Sequence, residues 1–405
     1  MMKKLLSITL TTALLAAMPA SQNALAQDSD WSFSGDVGLG LRGFDDAVFA
    51  GQAMKVRDGG LEASLALNFE ADWYSENSRV SIQPFLRLDS ADAERSHFDL
   101  REAYWAYEGE GWEVLTGFNK VFWGVTESRH LVDIINQTDL VEDLDQEQKL
   151  GQPMISLALE RDWGLLELFA MPYFRERTFP GIEGRLRTPL VVDTESAIYE
   201  SSAEQHHTDI AIRWSHYFGD VDIGVSAFRG TGREPGFSLS SDGLTLVPIY
   251  HQVTQLGVDL QYTRDAWLWK LEAIGRDGLD DRFFASVAGF EYTFYGINEG
   301  SSDLGVIVEY LHDDRGPSEP QTAFDDDVFL AARWALNDIQ DTSVLAGVVL
   351  DTNESEWFFS LEAKRRIGED YVAEARVRIF NGDPAGQLFV FDQEDYVELS
   401  LARYF

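Results

Sequence analysis

Apolar and polar side chains alternate at every second residue, over segments of about ten residues or more, and this limits how the chain folds more than any other feature. In LEASLALNFEADW, Leu61, Ala63, Leu65, Leu67, Phe69, Ala71 and Trp73 share one face, and Glu62, Ser64, Asn68, Glu70 and Asp72 share the other. A soluble sandwich also alternates, but its strands usually stop after about five or six residues. Segments this long, ending repeatedly in Trp or Tyr, match the roughly 9 to 11 residues that a tilted strand needs to cross a bilayer.

The pattern recurs almost to the last residue. TQLGVDLQYT groups Leu256, Val258, Leu260 and Tyr262; AWLWKLEAIGR groups Trp267, Trp269, Leu271 and Ala273 against Lys270, Glu272 and Arg276. EWFFSLEAKRRI sets Trp357, Phe359, Leu361 and Ala363 against Glu362, Lys364 and Arg366, and YVAEARVRIF sets Tyr371, Ala373, Ala375, Val377 and Ile379 against Glu374, Arg376 and Arg378. An apolar face toward hydrocarbon and a charged face toward water describe the wall of a cylinder, in which every backbone donor and acceptor is paired without an open edge. Counting from 31–44 to 394–405 predicts an all-β fold: a transmembrane antiparallel up-and-down barrel of about 18 strands, with 16 as the alternative.

Loop lengths support the same order. The long connections (119–153, 175–206, 231–250, 314–325 and 382–393) all follow odd-numbered strands, while those after even-numbered strands are mostly tight. Transmembrane barrels sort long external loops from short periplasmic turns in this way; a sandwich has no reason to. The terminal YVELSLARYF alternates too, so the last strand is expected to close on the first with Tyr404 and Phe405 at the periplasmic membrane boundary. That ending resembles outer-membrane proteins generally, whose terminal aromatic residue is thought to be read by the barrel-insertion machinery.

Composition removes several alternatives. Sixty-nine Asp and Glu against 32 Lys and Arg, a formal charge of −37, repel nucleic acid, while 45% hydrophobic and 13% aromatic residues argue against disorder. Residues 1–26 have the form of a signal peptide: Lys3 and Lys4, an apolar Leu5 to Ala17 stretch, then Ala24-Leu25-Ala26. Export through the periplasm to the bacterial outer membrane follows as an expectation, with 27–405 as one barrel domain. The chain has no cysteine, so neither disulfides nor an acylated lipoprotein anchor is expected.

The 119–153 segment, NKVFWGVTESRHLVDIINQTDLVEDLDQEQKLGQP, is the candidate pore constriction, because a connection of this length without strand periodicity is usually functional or disordered. By the strand count it is the third external loop, which in general porins folds into the lumen. Trp123, Glu127, Arg129, Asp133, Asn136, Asp139, Glu142 and Asp143 are its candidate lining residues, and Leu131, Val132, Ile134 and Ile135 would pin it to a wall. Opposite, Lys270, Glu362, Lys364, Arg366, Glu374, Arg376 and Arg378 are expected on the lumen-facing wall. Acids and bases facing across a narrow passage orient dipolar solutes and set ion preference. The same charges also fit simple mutual neutralisation.

LREAYWAYEGEGWEVLTGFNKVFWG, residues 100–124, resembles porin-like outer-membrane families, including phosphate-selective and alginate-export barrels. Arg101, Glu102, Ala103, Tyr104, Gly117, Trp123 and Gly124 fit their Arg-Glu-Ala-Tyr strand, Gly-Arg-Gln segment and Trp-Gly pair, but Phe118-Asn119 stands where Arg-Gln is usual. The resemblance implies passive diffusion of small hydrophilic solutes or ions, and no particular solute. Outer-membrane lipid and lipopolysaccharide, the insertion machinery and a homotrimer are the partners that fit such a barrel.

No catalytic residue, cofactor or metal site is expected. His206 and His207 are adjacent and would point to opposite faces of a strand; Asp280-Asp281 and Asp325-Asp326-Asp327 suit calcium or a lipopolysaccharide bridge, but solvated loop acid is the commoner explanation. Two other classes stay open: an assembly or adhesion scaffold with a plugged barrel, and a barrel hydrolase, which usually has fewer strands. Around FDLREAYWAY the alternation conflicts with itself, since Glu102 shares a face with Phe98 and Leu100, and Arg101 with Trp105. A bulge would reconcile them.

Overall fold

A computed structural model describes residues 31–44, 60–279, 282–297 and 300–405. The expected signal segment, 1–26, and Asp280-Asp281 lie outside the described residues. Eighteen antiparallel strands form one sheet: β1 Trp31–Phe44, β2 Leu61–Tyr74, β3 Ser78–Asp89, β4 Phe98–Gly109, β5 Trp112–Asn119, β6 Gln152–Arg161, β7 Gly164–Met171, β8 Asp209–Phe218 and β9 Val221–Thr231. The second half comprises β10 Gln252–Arg264, β11 Trp267–Asp277, β12 Arg282–Phe294, β13 Asp303–Asp313, β14 Asp326–Ala335, β15 Ser343–Asp351, β16 Trp357–Ile367, β17 Tyr371–Asn381 and β18 Tyr396–Tyr404. Each strand pairs with its chain neighbours, and β18 pairs with β1. The sheet is therefore a closed up-and-down barrel with no edge strand of its own, and a separate small open sheet of residues 191–192, 198–199, 236–239 and 245–250 lies in the long connections.

The seam is held beyond its ladder. Arg42 and Glu398 stand directly opposite in the β1–β18 register and form an ion pair of 2.7 Å with both side chains mostly buried. Phe405 extends the pairing by exchanging backbone hydrogen bonds with Gly35, at 3.0 and 3.2 Å. Arg403, on the outward face, lies over the Tyr371 ring.

The two faces divide as the period of two requires. Phe33, Leu41, Leu61, Leu88, Ile155, Leu256 and Phe284 are exposed on the outside. Trp267 stacks on Trp269 with ring centroids 5.5 Å apart, and Phe290 and Tyr292 pack beside them near a short turn. Inward residues differ around the circumference. Ala106, Leu115, Met154, Phe169, Met171, Ala211, Phe228, Ile274, Ala285 and Ile307 make an apolar inner surface from β4 to β13, interrupted by buried charges such as Asp259, Glu272 and Glu309.

The conflict in β4 resolves as a bulge. The β3–β4 register pairs Gln83 with Glu102 and then Pro84 with Leu100, skipping Arg101. Phe98 stays exposed outside and Asp99 buried inside; Arg101 and Glu102 then both face inward, and Trp105 returns to the exposed outer face. A bulge thereby keeps two consecutive charges away from the outer apolar surface.

Candidate functional site

The connection between β5 and β6, residues 120–151, meets inward-facing side chains from most of the circumference. Its first turn is received by wall carboxylates. Glu272 of β11, 0% exposed, accepts from the backbone N–H groups of Val125 (2.7 Å), Thr126 (3.0 Å) and Val132 (3.1 Å) and from the Thr126 hydroxyl (2.7 Å). Glu309 of β13 accepts from Glu127 N–H, Ser128 N–H and the Ser128 hydroxyl at 2.6 to 2.8 Å. A loop without secondary structure must satisfy its backbone donors somewhere, and here two inward glutamates do so.

Leu131, Val132, Ile134, Ile135 and Trp123 then pack on the apolar inner surface, with the Trp123 and Phe169 rings edge to face at 5.8 Å. Asn136 closes the base of the loop: its side-chain amide donates to Asn119 O and Leu150 O and its oxygen accepts from Val121 N–H. Two glycines permit close approach where the loop leaves and rejoins the wall. Gly117 has φ +133°, and a Cβ there would stand 2.2 Å from Ala103 O; one at Gly151 would stand 2.1 Å from Leu100 O.

The far half of the segment is clamped by cations. Arg101, delivered inward by the bulge, donates to Asp139 at 2.6 Å and to Lys149 O at 2.8 Å. His97 lies 3.1 Å from Asp139 and 3.7 Å from Glu142, and Arg87 grips Glu142 at 2.6 Å. His97 Nδ1 also faces Arg95 O, so both ring nitrogens meet acceptors, as an imidazolium requires. Burial opposes its charge, but the Asp139 hydrogen bond and charge outweigh burial and raise its pKa. Asp139 is likewise resisted by burial, yet His97 and Arg101 hold it at about 2. On the β17 side, Asp143 contacts Arg376 at 2.8 Å and Arg378 at 3.4 Å, and Asp145 contacts Arg378 at 3.1 Å.

Among the described residues, a pair of cavities inside the wall is lined in part by the segment. The larger, about 1050 Å³, is lined by β1 to β3, β14 to β18 and Glu142, Asp143 and Asp145, and runs to Glu369, Asp370, Tyr404 and Phe405 at the short-turn end. The smaller, about 430 Å³, is lined by Glu127, Arg129, Asp133 and Asn136 together with Arg177, Arg233, Glu234 and Arg276. Asp145, Arg333, Leu345 and Glu362 line both. In the smaller cavity Glu234 is shared by Arg276 (2.6 Å), Arg315 (3.5 Å) and Arg129 (3.6 Å); burial alone would raise its pKa, but these guanidinium groups hold it well below the usual carboxylate range.

The residues singled out in the sequence are thus distributed between several positions. Glu127 joins Arg333 (2.6 Å) and Lys270 (3.6 Å) at the smaller cavity, and Glu362 joins Arg378 (2.5 Å) and Arg376 (3.4 Å). Arg129 pairs with Asp313 at 3.1 Å, and Asp133 accepts from the N–H groups of Trp123 and Gly124. Trp123 and Asp139 line neither cavity, being buried between segment and wall. Lys364 and Glu374 pair at 3.7 Å in the larger cavity, whereas Arg366 lines neither. Arg376 and Arg378 touch the loop acids, with no open gap between them. Arg87, His97, Glu309, Asp313, Glu234 and Arg333 had no individual signal beyond, for the strand residues, an inward parity.

No family model and no curated protein matches the sequence. Among solved structures, a BenF-like porin from Pseudomonas fluorescens Pf-5 aligns at 10% identity and TM-score 0.55 over 93% of this chain and 98% of that one. Wzi, a carbohydrate-binding β-barrel of the outer membrane involved in group 1 capsule assembly in Escherichia coli, aligns at 12% and 0.54 over 93% and 84%. A mutant of Rh. blastica porin aligns at 12% and 0.45 over 93% and 100%. At such identities the likeness is one of fold: the chain has a closed, porin-like up-and-down β-barrel architecture.

Proposed function

We propose that this protein is a porin-like channel of the bacterial outer membrane, reached by export on the 1–26 signal, through which small hydrophilic solutes or ions diffuse passively. The 119–153 segment is its constriction. The observation that carries this reading is the pair of charged cavities that the segment lines, with Asp145, Arg333, Leu345 and Glu362 common to both. Arg376 and Arg378 are engaged with Asp143, Asp145 and Glu362, so they fix the loop in place, and the passage runs beside the pairs along the β14–β16 wall. Charges held at such shared positions, against low-dielectric walls, set ion preference.

Planar-bilayer recording with a panel of ions, sugars and organic acids tests the reading. Discrete conductance steps, reduced by Leu345→Trp in the shared lining, are expected. A folded protein that inserts without conducting would refute it.

One observation favours a second reading, a plugged assembly or adhesion scaffold. The outer loops are stitched across the mouth: Arg185 pairs with Glu394 at 2.7 Å, and Asp92 accepts from Gly181 N–H. Absence of conductance together with saturable binding of a surface glycan would select it.

A further inference from the structure

Most of the ions that line the smaller cavity are matched to one another. Glu127 is taken by Arg333 and Lys270, Glu147 by His130, Asp145 and Glu362 by Arg378, and Arg233 by Asp209. Two cations of the lining are left over: neither Arg177 nor Lys149 has an ion-pair partner among the described residues. Arg177 Nε donates to Gln137 Oε1 at 3.4 Å and Lys149 Nζ to Thr138 Oγ1 at 3.2 Å, neutral acceptors on consecutive residues. Both cations stand on a fixed backbone. The Arg177 N–H donates to the Tyr250 hydroxyl at 3.1 Å, and Lys149 is bridged to Thr138 while its carbonyl accepts from Arg101 at 2.8 Å.

The acids nearby do not cancel them. Glu234, whose charge supports that of Arg177, is already shared by Arg276, Arg315 and Arg129. Asp133, whose charge supports that of Lys149, spends one oxygen on the N–H groups of Trp123 and Gly124. Burial lowers the pKa of both cations, and the Arg177 charge lowers that of Lys149 further. Five cations (Arg129, Lys149, Arg177, Arg276 and Arg315) against three acids (Asp133, Glu234 and Asp313) leave two positive charges in excess. Cations withdrawn from water without an anion carry an uncompensated desolvation cost.

The same chamber has an apolar wall. The strand register sets Phe329 of β14 opposite Val349 of β15, and Val349 opposite Phe358 of β16, and all three line the cavity. Gly347, on the same face of β15, lets the Phe329 ring lie close: a Cβ there would stand 2.6 Å from Phe329 Cε2. A volume of about 430 Å³ falls within the roughly 300 to 1,000 Å³ of small-molecule sites, which likewise join an apolar surface to a few convergent polar groups.

We propose that this chamber binds a small organic monocarboxylate, with the carboxylate taken by Arg177 and Lys149 and the apolar body laid on Phe329, Val349 and Phe358. The inference rests on the channel reading above for the route by which the solute arrives. A carboxylate exchanges the neutral acceptors of the two cations for a charged one, and such hydrogen bonds are shorter and stronger. A small hydrophilic anion gains the charge contact alone, and a neutral aromatic solute gains the apolar contact alone. The chamber therefore prefers a solute that presents both.

The test is isothermal titration of phenylacetate into the full-length barrel in detergent, with acetate and phenylacetamide as comparison solutes and heat-modifiable gel migration as the check on folding. Saturable binding of phenylacetate is expected, at least roughly tenfold tighter than either comparison solute and weakened at least roughly tenfold by Lys149→Gln or Arg177→Gln. Lys364→Gln, in the larger cavity, leaves it unchanged. No saturable binding by the parent, equal affinity for the three solutes, or unaltered affinity in the folded Lys149 and Arg177 variants overturns the proposal. Should Arg177→Gln fail to fold, Lys149→Gln decides. Planar-bilayer recording separates the two readings: a protein that binds phenylacetate without conducting keeps the site and loses the channel, whereas one that conducts without binding it keeps the channel and loses the site.

Discussion

Replacing Arg101 by Met removes the guanidinium that clamps the far half of the 120–151 segment while keeping much of its apolar stem. The lost contacts are Asp139 at 2.6 Å, Asp99 at 3.2 Å and Lys149 O at 2.8 Å. Both ions of the Arg101–Asp139 pair are buried, 8% and 0% exposed, so solvent does not take over for the missing partner. Breaking such a pair from one side typically costs about 3 to 5 kcal/mol. Asp139 keeps His97 and the Thr178 hydroxyl at 2.7 Å, which places the expected cost near the lower end, about 3 kcal/mol. A loss of that size multiplies the undocked population of the loop by roughly a hundred. The exposed stretch from Asp145 to Gln148 then becomes a site of proteolytic nicking, and single-channel records acquire rapid current fluctuations. Arg101→Met/Asp139→Leu, which removes both charges, should recover most of the loss. If Arg101→Met folds yet shows parental protease resistance and parental current noise, the clamp assigned to Arg101 is wrong.

Alkaline pH acts on the same loop through His130, which lies 2.9 Å from Glu147 and 3.6 Å from Glu272. Burial alone would lower its pKa, but these carboxylates carry it up to about 10, so its stabilising contribution is complete below about 6.5 and is lost as pH rises through about 10. Amide exchange of the loop should accelerate across that window in the parent and lose this step in His130→Gln. Arg333→Glu reverses a charge in the lining shared by both cavities, and reversal-potential measurements in a salt gradient should move toward cation preference without loss of folding. Gly117→Ala forces a Cβ against Ala103 O at a left-handed backbone position; refolding yield and urea midpoint should drop by an amount corresponding to at least about 1 kcal/mol.

Much of the wall was legible because a strand writes its orientation into every second residue. β1 runs over Trp31–Phe44 and β17 over Tyr371–Asn381, within a residue of where the alternation starts and stops, since the outward face tolerates few charges. Even the exception at Arg101 and Glu102 was visible as a conflict, because one chain parity cannot hide two consecutive charges. The interior was less legible. Parity says that Glu272 and Glu309 point inward, but only closure of the cylinder brings β11 and β13 to the amides of residues 125 to 132. Asp139 looks like a pore-lining acid in the sequence and is instead fully buried, because Arg101 and His97, some 40 positions away in the chain, reach it first. Thr178 and Arg177, from the β7–β8 connection, carry no pattern of their own and take their meaning from the loop they lean on.

The bulge in β4 acts as a phase shifter as well as an anchor. Residues before it and residues after it obey opposite counting rules, so the strand is two half-frames spliced at one position. Excising Arg101 would leave plain alternation, with Phe98 and Leu100 outward, Asp99 and Glu102 inward and Trp105 outward again, so the downstream half keeps its facing while the loop loses its clamp. Pairing every residue without the bulge is what would invert the strand, turning the Trp105 indole inward and the Glu102 carboxylate outward.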